Sequence, residues 1–183
     1  MRILGNIGTA IDATLTDGLL EICLGKETWR ASIEDLKPKV IDRRELVAHY
    51  ARRELGRKDV IAYWSVAFGA TSGGVTRLAW CGVFALWALK KAGLTDAVWV
   101  IGRGFLRDLK LPTTESPKVG DVAYFRANQH HAIVVGERDV FGERHVELIN
   151  GNGTGGVVTA SISPVSAVTA FYSIEPLVKK ATG

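Results

Sequence analysis

The apolar positions of this chain change period part-way along it. Between Asp42 and Gly93 they recur at helical spacing, and after Pro117 they fall into short β-branched or aromatic runs. The first helix is predicted from Asp42, which can cap it, with Glu45 three residues on. Leu46, Tyr50 and Leu55 fall on one face, and Gly56 can stop the helix. A second helical piece, DVIAYWSVAFG, ends at Gly69, and a turn-rich loop, ATSGGVTR, leads into WCGVFALWALKKAG. There Val83, Phe84, Leu86, Trp87 and Leu89 give a broad apolar face, Lys90 and Lys91 suit the last turn, and Gly93 ends the helix. The runs GDVAYFRA, HHAIVVGE, RHVELING, VVTASIS and AVTAFYSIEP predict an antiparallel sheet of about five strands made by hairpins. Helices first and strands later give the class α+β, N-terminal helices packed on an antiparallel sheet. Residues 1–40 read as an N-terminal extension in which LLEICLGKETWRASIEDL can form a hairpin around Gly25 and Lys26, ahead of a main domain over 41–178.

Composition narrows the setting only a little. The chain has 183 residues and is 47% hydrophobic, which suits one main domain with a sizeable core. Lys and Arg number 23 against 19 Asp and Glu, a net charge of +4, and the basic residues are scattered and not gathered in a block. Solvated helix faces account for most of them, and the mild bias towards anionic surfaces does not choose among nucleic acid, lipid headgroups and cell-wall polymers. No internal repeat or low-complexity tract occurs, and no apolar run reaches the roughly 18 residues of a membrane span. The N-terminal apolar run is interrupted by Gly5, Asn6, Gly8 and Asp12, so the reading is a soluble protein made in the cytoplasm without a conventional export signal. Two cysteines, Cys23 and Cys81, are too few for a disulfide scaffold and fit reduced thiols.

The chemistry begins at Cys81. Placed in the first turn of a helix, its thiol meets free amides and the positive end of the helix dipole, which favour the nucleophilic thiolate. A buried structural thiol would look the same in composition and position. A thiol nucleophile needs a base and the base an orienting group, usually from different elements. Of the four histidines, His49 lies within the first helix and His145 beside charged residues, whereas His130 and His131 open the strand HHAIVV. Strand alternation lets only one of these two share the face of Ala132 and Val134, so both cannot serve one site from a regular strand. The next strand, VELINGNG, offers Asn150 and Asn152, either of which can accept the proton of the second ring nitrogen; Asn-Gly pairs are also favoured turn residues. A zinc site from Cys81, His130 and His131 is disfavoured by the same divergence and by the lack of CxxC or HExxH spacing. INGNGTGG has the glycines of a nucleotide-binding loop, but VVTASIS after it reads as a strand and not as a phosphate-holding helix. The five tryptophans could form a carbohydrate platform, with Trp80 nearest the site, or could simply be core.

Taken in order, WCGVFALWALKKAGL, PKVGDVAYF, HHAIVVG and INGNG resemble the CHAP amidase/peptidase family, a branch of the papain-like, NlpC-type cysteine hydrolases that cut peptidoglycan. The likeness covers roughly residues 42–175 and implies a papain-like CHAP/NlpC-type fold. Carried over by position, it implies Cys81 as nucleophile and His130 as base, with His131 where the family usually has valine. Asn150 stands at the family's glutamate position and Asn152 at its asparagine position, which leaves a Cys-His-Asn arrangement with either residue as orienter. Tyr63, of a Tyr-Trp pair ahead of the cysteine, is the candidate donor near the oxyanion, and Trp80 and His131 are candidates for oxyanion or substrate contact.

The resemblance implies acyl transfer on an amide of the cell-wall peptide, with no metal or other cofactor. It suggests a phage or prophage lysin with peptidoglycan as substrate, acting on the wall after release by a hole-forming partner (holin) or on the phage particle. A secreted antibacterial amidase effector travelling with an immunity protein, and a weakly active structural or binding module of a phage particle, are the alternatives. Neither nucleic acid nor membrane is an expected partner.

Overall fold

In the computed structural model the described residues are 2–4, 10–16, 19–24, 27–32, 42–69, 79–97 and 111–182. The chain divides into two compact units, residues 1–41 and 42–183. In the first, β1 (Arg2–Leu4), β2 (Ala10–Thr16), β3 (Leu19–Leu24) and β4 (Glu27–Ser32) pair antiparallel in chain order. Leu24 stands opposite Glu27, so β3 and β4 flank Gly25 and Lys26 as the hairpin reading expects; those two residues lie outside the described ones. Two further strands, β1 and β2, extend the hairpin.

The second unit is α+β: four helices among the described residues and one open six-stranded antiparallel sheet. Helix α1 (Arg43–Arg53) starts where Asp42 Oδ1 accepts the Arg44 amide at 2.9 Å. Its buried face is Arg44, Val47, Ala48 and Ala51, not the Leu46, Tyr50 and Leu55 stripe. Leu46 and Tyr50 are half-buried at the core margin, and Leu55 lies beyond the helix end, 45% exposed. Small side chains at 47, 48 and 51 allow a close approach that larger ones would block. Helix α2 (Val60–Phe68) is capped by Asp59 Oδ1 on the Ala62 amide at 3.1 Å and closed by Gly69 at φ 70°. The predicted loop over residues 70–77 lies outside the described residues. Helix α3 (Cys81–Lys91) is buried at every residue from Cys81 to Leu89. Such a helix is central and carries no solvent face. Helix α4 (Glu175–Thr182) closes the chain.

The sheet holds β5 (Thr113–Thr114), β6 (Val122–Phe125), β7 (His130–Val140), β8 (Glu143–Asn150), β9 (Thr159–Pro164) and β10 (Ala170–Tyr172), in the order β5-β10-β6-β7-β8-β9. Strands β6 to β9 form the expected succession of antiparallel neighbours. The expectation of about five hairpin strands is corrected in two ways. A sixth strand, the Thr113–Thr114 pair, sits at the edge, and β10 returns across the sheet to pair between β5 and β6. Two threonines carry no alternation to read, and the return of β10 is a long-range pairing that no local pattern encodes. Both faces of the sheet are apolar. Ile133 and Val135 of β7 join the helices in one core, while Ala132 and Val134 join Ala123, Val146, Leu148 and Phe171 in a second cluster.

One buried ion pair ties the helices to this sheet. Asp121, 1% exposed, accepts Arg44 Nη1 at 2.7 Å and the Ile174 amide at 3.0 Å on Oδ1, and the Lys118 amide at 2.9 Å on Oδ2. The Gly-Asp step ahead of β6 therefore joins α1, its own turn and the approach to α4. Gly120 is equally constrained: at φ 87°, a Cβ would lie 3.2 Å from the Arg44 backbone. Replacing Arg44 by Met leaves the Asp121 carboxylate buried without its cation. A stability loss of about 3–5 kcal/mol in urea unfolding is expected, and a loss under about 1 kcal/mol would show that the pair does not hold α1 in place.

Candidate active site

The site is assembled where the first turn of α3 meets the start of β7 and the end of β8. Trp80 occupies the N-cap of α3 but makes no side-chain cap hydrogen bond, so the amides of the first turn are left for another acceptor beside the Cys81 thiol. An aromatic cluster anchors this turn. Tyr63 packs against Trp80, Phe84 and Trp87 with ring centroids 5.5, 5.3 and 5.2 Å apart. Phe84, one turn into α3, presses on the backbone of Gly151: a Cβ at 151 would fall 2.4 Å from Phe84 Cβ. Only glycine lets the end of β8 lie this close to α3.

The base and its orienter follow from the register. Asn150 stands opposite Ala132, so on the pleat it is the diagonal neighbour of His130, on the same face. Asn150 Oδ1 and His130 Nε2 are 3.0 Å apart. The amide is oriented by its other side: Nδ2 donates to the Thr159 carbonyl at 3.3 Å and to Ser161 Oγ at 2.9 Å. A carbonyl can only accept, so Nδ2 must face Thr159 and Oδ1 must face His130. His130 Nε2 therefore carries its hydrogen, which leaves Nδ1 as the nitrogen available to the thiol.

Cys81 is 7% exposed, and Gln129 holds a left-handed φ of 50° that brings its carbonyl 3.9 Å from Cys81 Sγ, within reach of the S–H. Burial pushes the thiol up, but the side chains of His130 and His131 and the His131 backbone outweigh it, and the net result is a thiol lowered to about 6. For His130, burial acts downward while contact with Cys81 and the Asn150 amide acts upward, and the net shift is upward. The two shifts have one meaning. The proton moves from sulfur to imidazole more readily than it would between the isolated groups, as a thiolate-imidazolium pair requires.

Several predicted residues take other places. Tyr63 is 1% exposed and its hydroxyl donates to Glu54 Oε2 at 2.9 Å, with burial and that carboxylate both pushing its ionisation up. Its one O–H is engaged, which removes it from the expected oxyanion role. Trp80, 2% exposed, belongs to the core and not to a substrate platform. Asn152 lies in the turn after β8 at φ 55°; Asn150 alone of the two holds the imidazole. His130 and His131 fall on opposite faces of β7, as alternation expects: His130 meets Asn150, and buried His131 stacks on Tyr124 with ring centroids 5.0 Å apart. His49 is exposed and edge-on to Tyr50, and half-buried His145 bonds the Glu143 carbonyl through Nδ1. Gly151, Ser161 and Gln129 are the residues that sequence reasoning missed. Ser161 is one of several alternating polar positions in β9, and nothing marks it before the pairing of β8 with β9 is known.

Among the described residues, no group of three or more His, Cys, Asp or Glu side chains could hold a metal ion. None of the helices there is long and apolar enough to cross a membrane. No protein-family model, curated protein or solved structure matches the chain.

Because the thiol is lowered, the thiolate dominates above about pH 6 and is lost as pH falls through that value. The rate of Cys81 alkylation by iodoacetamide is expected to rise with a midpoint near there; a midpoint in the ordinary thiol range of about 8.5 would contradict the geometry. Gly151→Ala is expected to destabilise the protein by about 1–3 kcal/mol and to raise the alkylation midpoint, by parting Phe84 from β8. Unchanged stability and midpoint would show that the close approach is dispensable.

Proposed function

We propose that the protein is a cysteine-dependent amidase or peptidase that cleaves an amide bond in the peptide part of peptidoglycan, on a papain-like, CHAP/NlpC-type arrangement of central helix and sheet. The observation that carries the reading is the line from Cys81 to His130 to Asn150, in which the imidazole tautomer is fixed by an amide that is itself oriented by Thr159 and Ser161. The restriction to peptidoglycan rests on the ordered motifs shared with the CHAP family and on the net charge of +4, which suits an anionic polymer.

In this reading the Cys81 thiolate attacks the amide carbonyl carbon, and the carbonyl electron pair moves onto oxygen. The resulting oxyanion lies against the amides of the uncapped first turn of α3, where helix dipole and N–H groups favour negative charge. His130 gives its Nδ1 proton to the leaving nitrogen as the C–N bond breaks, and a thioester on Cys81 remains. Water, deprotonated by the same nitrogen, adds to the thioester; the C–S bond breaks, the carboxylic acid leaves and gives its remaining proton to solvent, and the thiolate-imidazolium pair is restored. Asn150 keeps Nδ1 aimed at the sulfur throughout. The proposed setting is a phage or prophage lysin, which the motif order and the basic balance of the chain support.

The test is fragment release from isolated peptidoglycan, followed by turbidity and mass spectrometry. The unmodified protein is expected to release fragments whose masses name the bond, Cys81→Ala none, and His130→Ala at least about 100-fold less. Activity should rise through about pH 6 as the thiolate forms and fall above the raised His130 value as the imidazolium is lost. Binding without release by the unmodified protein, across wall types, would overturn hydrolysis in favour of a binding module.

A further inference from the structure

The bond that takes Tyr63 away from the sulfur lies where two connections of the chain meet. Glu54 is the C-cap of α1 and 9% exposed, and its carboxylate accepts the Tyr63 hydroxyl at 2.9 Å on Oε2 and Arg57 Nη1 at 3.2 Å on Oε1. Tyr63 lies one turn into α2, so the bond joins the end of one helix to the start of the next and closes the connection over residues 54–59. That connection makes two backbone hydrogen bonds to a single distant residue. The Gly56 amide donates to the Val158 carbonyl at 2.9 Å, and the Val158 amide donates to the Arg57 carbonyl at 2.9 Å. Val158 is 1% exposed and comes immediately before Thr159, whose carbonyl accepts Asn150 Nδ2. Thr159 is confined from another side as well: a Cβ on Gly153 would overlap its hydroxyl.

We propose that Glu54 and Tyr63 are a positioning pair for the orienter of the site: their hydrogen bond holds the connection between α1 and α2 where Gly56 and Arg57 can fix Val158, and Val158 brings the Thr159 carbonyl to the Asn150 amide. The inference rests on the reading of Cys81, His130 and Asn150 as one reacting line, and extends it to two residues that touch neither sulfur nor imidazole. A carboxylate at the carbonyl end of a helix is opposed by the helix dipole, so Glu54 is a poor choice for the stability of α1 alone. Arg57 offsets little of this, because its side chain is 62% exposed. Tyr63 is the donor from the interior, and a buried hydroxyl needs its acceptor as much as the carboxylate needs its donor. The pair therefore sets one separation between the two helices. The same tyrosine packs its ring on Trp80 and Phe84 of the nucleophile helix, so the sulfur and the orienter are referred to one fixed point. Ser161 Oγ also accepts Asn150 Nδ2, so displacing the Thr159 carbonyl loosens the amide without releasing it.

The experiment is nitrogen-15 NMR of neutral His130 in the full chain, with thermal melting as the measure of folding. In the unmodified protein the hydrogen sits on Nε2. Tyr63→Phe keeps the ring and removes only the hydroxyl, and Glu54→Leu removes the acceptor. In each, the shifts of the two ring nitrogens are expected to move towards one another as the Nδ1–H tautomer joins the mixture. Glu54→Gln keeps a carbonyl for the Tyr63 hydroxyl and is expected to restore the original shifts. Val47→Ala opens a cavity at a fully buried position two turns before Glu54; it is expected to lower the melting temperature and leave the shifts where they are. Both substitutions at the pair read the same bond, so Tyr63→Phe decides if Glu54→Leu does not fold. Unmoved shifts in Tyr63→Phe, movement in Glu54→Gln as large as in Glu54→Leu, or equal movement in Val47→Ala would each overturn the inference. A hydrogen on Nδ1 in the unmodified protein would instead overturn Asn150 as orienter and the proposed site with it. Failure to cut peptidoglycan with the expected shifts intact would remove the substrate and leave the pair in place.

Discussion

The packing of Phe84 on the bare backbone of Gly151 sets the distance on which the site depends. The side chains at the contact of a helix and a sheet hold the two backbones apart. At residue 151 the absent Cβ removes that spacing, since the atom would sit 2.4 Å from Phe84 Cβ. The first turn of α3 therefore comes down beside the ends of β7 and β8, and Cys81 lies off the end of the strand that carries His130. The aromatic cluster of Tyr63, Trp80 and Trp87 holds the same turn from behind. The Arg44–Asp121 pair fixes α1 to the turn before β6, so the helical layer and the sheet are joined by a polar tie as well as by apolar packing.

Within that frame the polar groups order one another outward from the sulfur. Thr159 and Ser161 of β9 decide which way the Asn150 amide faces, Asn150 decides which nitrogen of His130 keeps its hydrogen, and the remaining nitrogen faces the thiol. The chain of constraints spans three adjacent strands, and only the last link faces the Cys81 thiol. A half-satisfied amide at 150 would leave the imidazole free to rotate or exchange tautomers. The Asn150 amide directs the imidazole by geometry and adds no negative charge beside the Cys81 sulfur.

What could be read from the sequence follows the range of the interactions involved. The cap at Asp42, the stops at Gly69 and Gly93 and the placement of Cys81 in a first turn are local, and each is found where its residue type leads one to expect it. The choice between Asn150 and Asn152 was not legible, because it depends on whether β8 persists past Gly151. The strand ends at Asn150, and left-handed Asn152 belongs to the turn. Tyr63 and Trp80 illustrate a different limit. An aromatic residue near a nucleophile reads equally as substrate platform or as core, and only the burial of both and the Tyr63 bond to Glu54 separate the two.

The central claim is that Asn150 fixes the tautomer of an imidazole whose proton affinity is raised by the Cys81 sulfur. Nitrogen-15 NMR of the imidazole of His130, titrated in the unmodified protein and in Cys81→Ala, tests it most directly. The account predicts a midpoint above the ordinary histidine value that falls when the sulfur is removed, with the hydrogen retained on Nε2 in the neutral form of both proteins. A midpoint indifferent to Cys81, or a neutral form carrying its hydrogen on Nδ1, would contradict it.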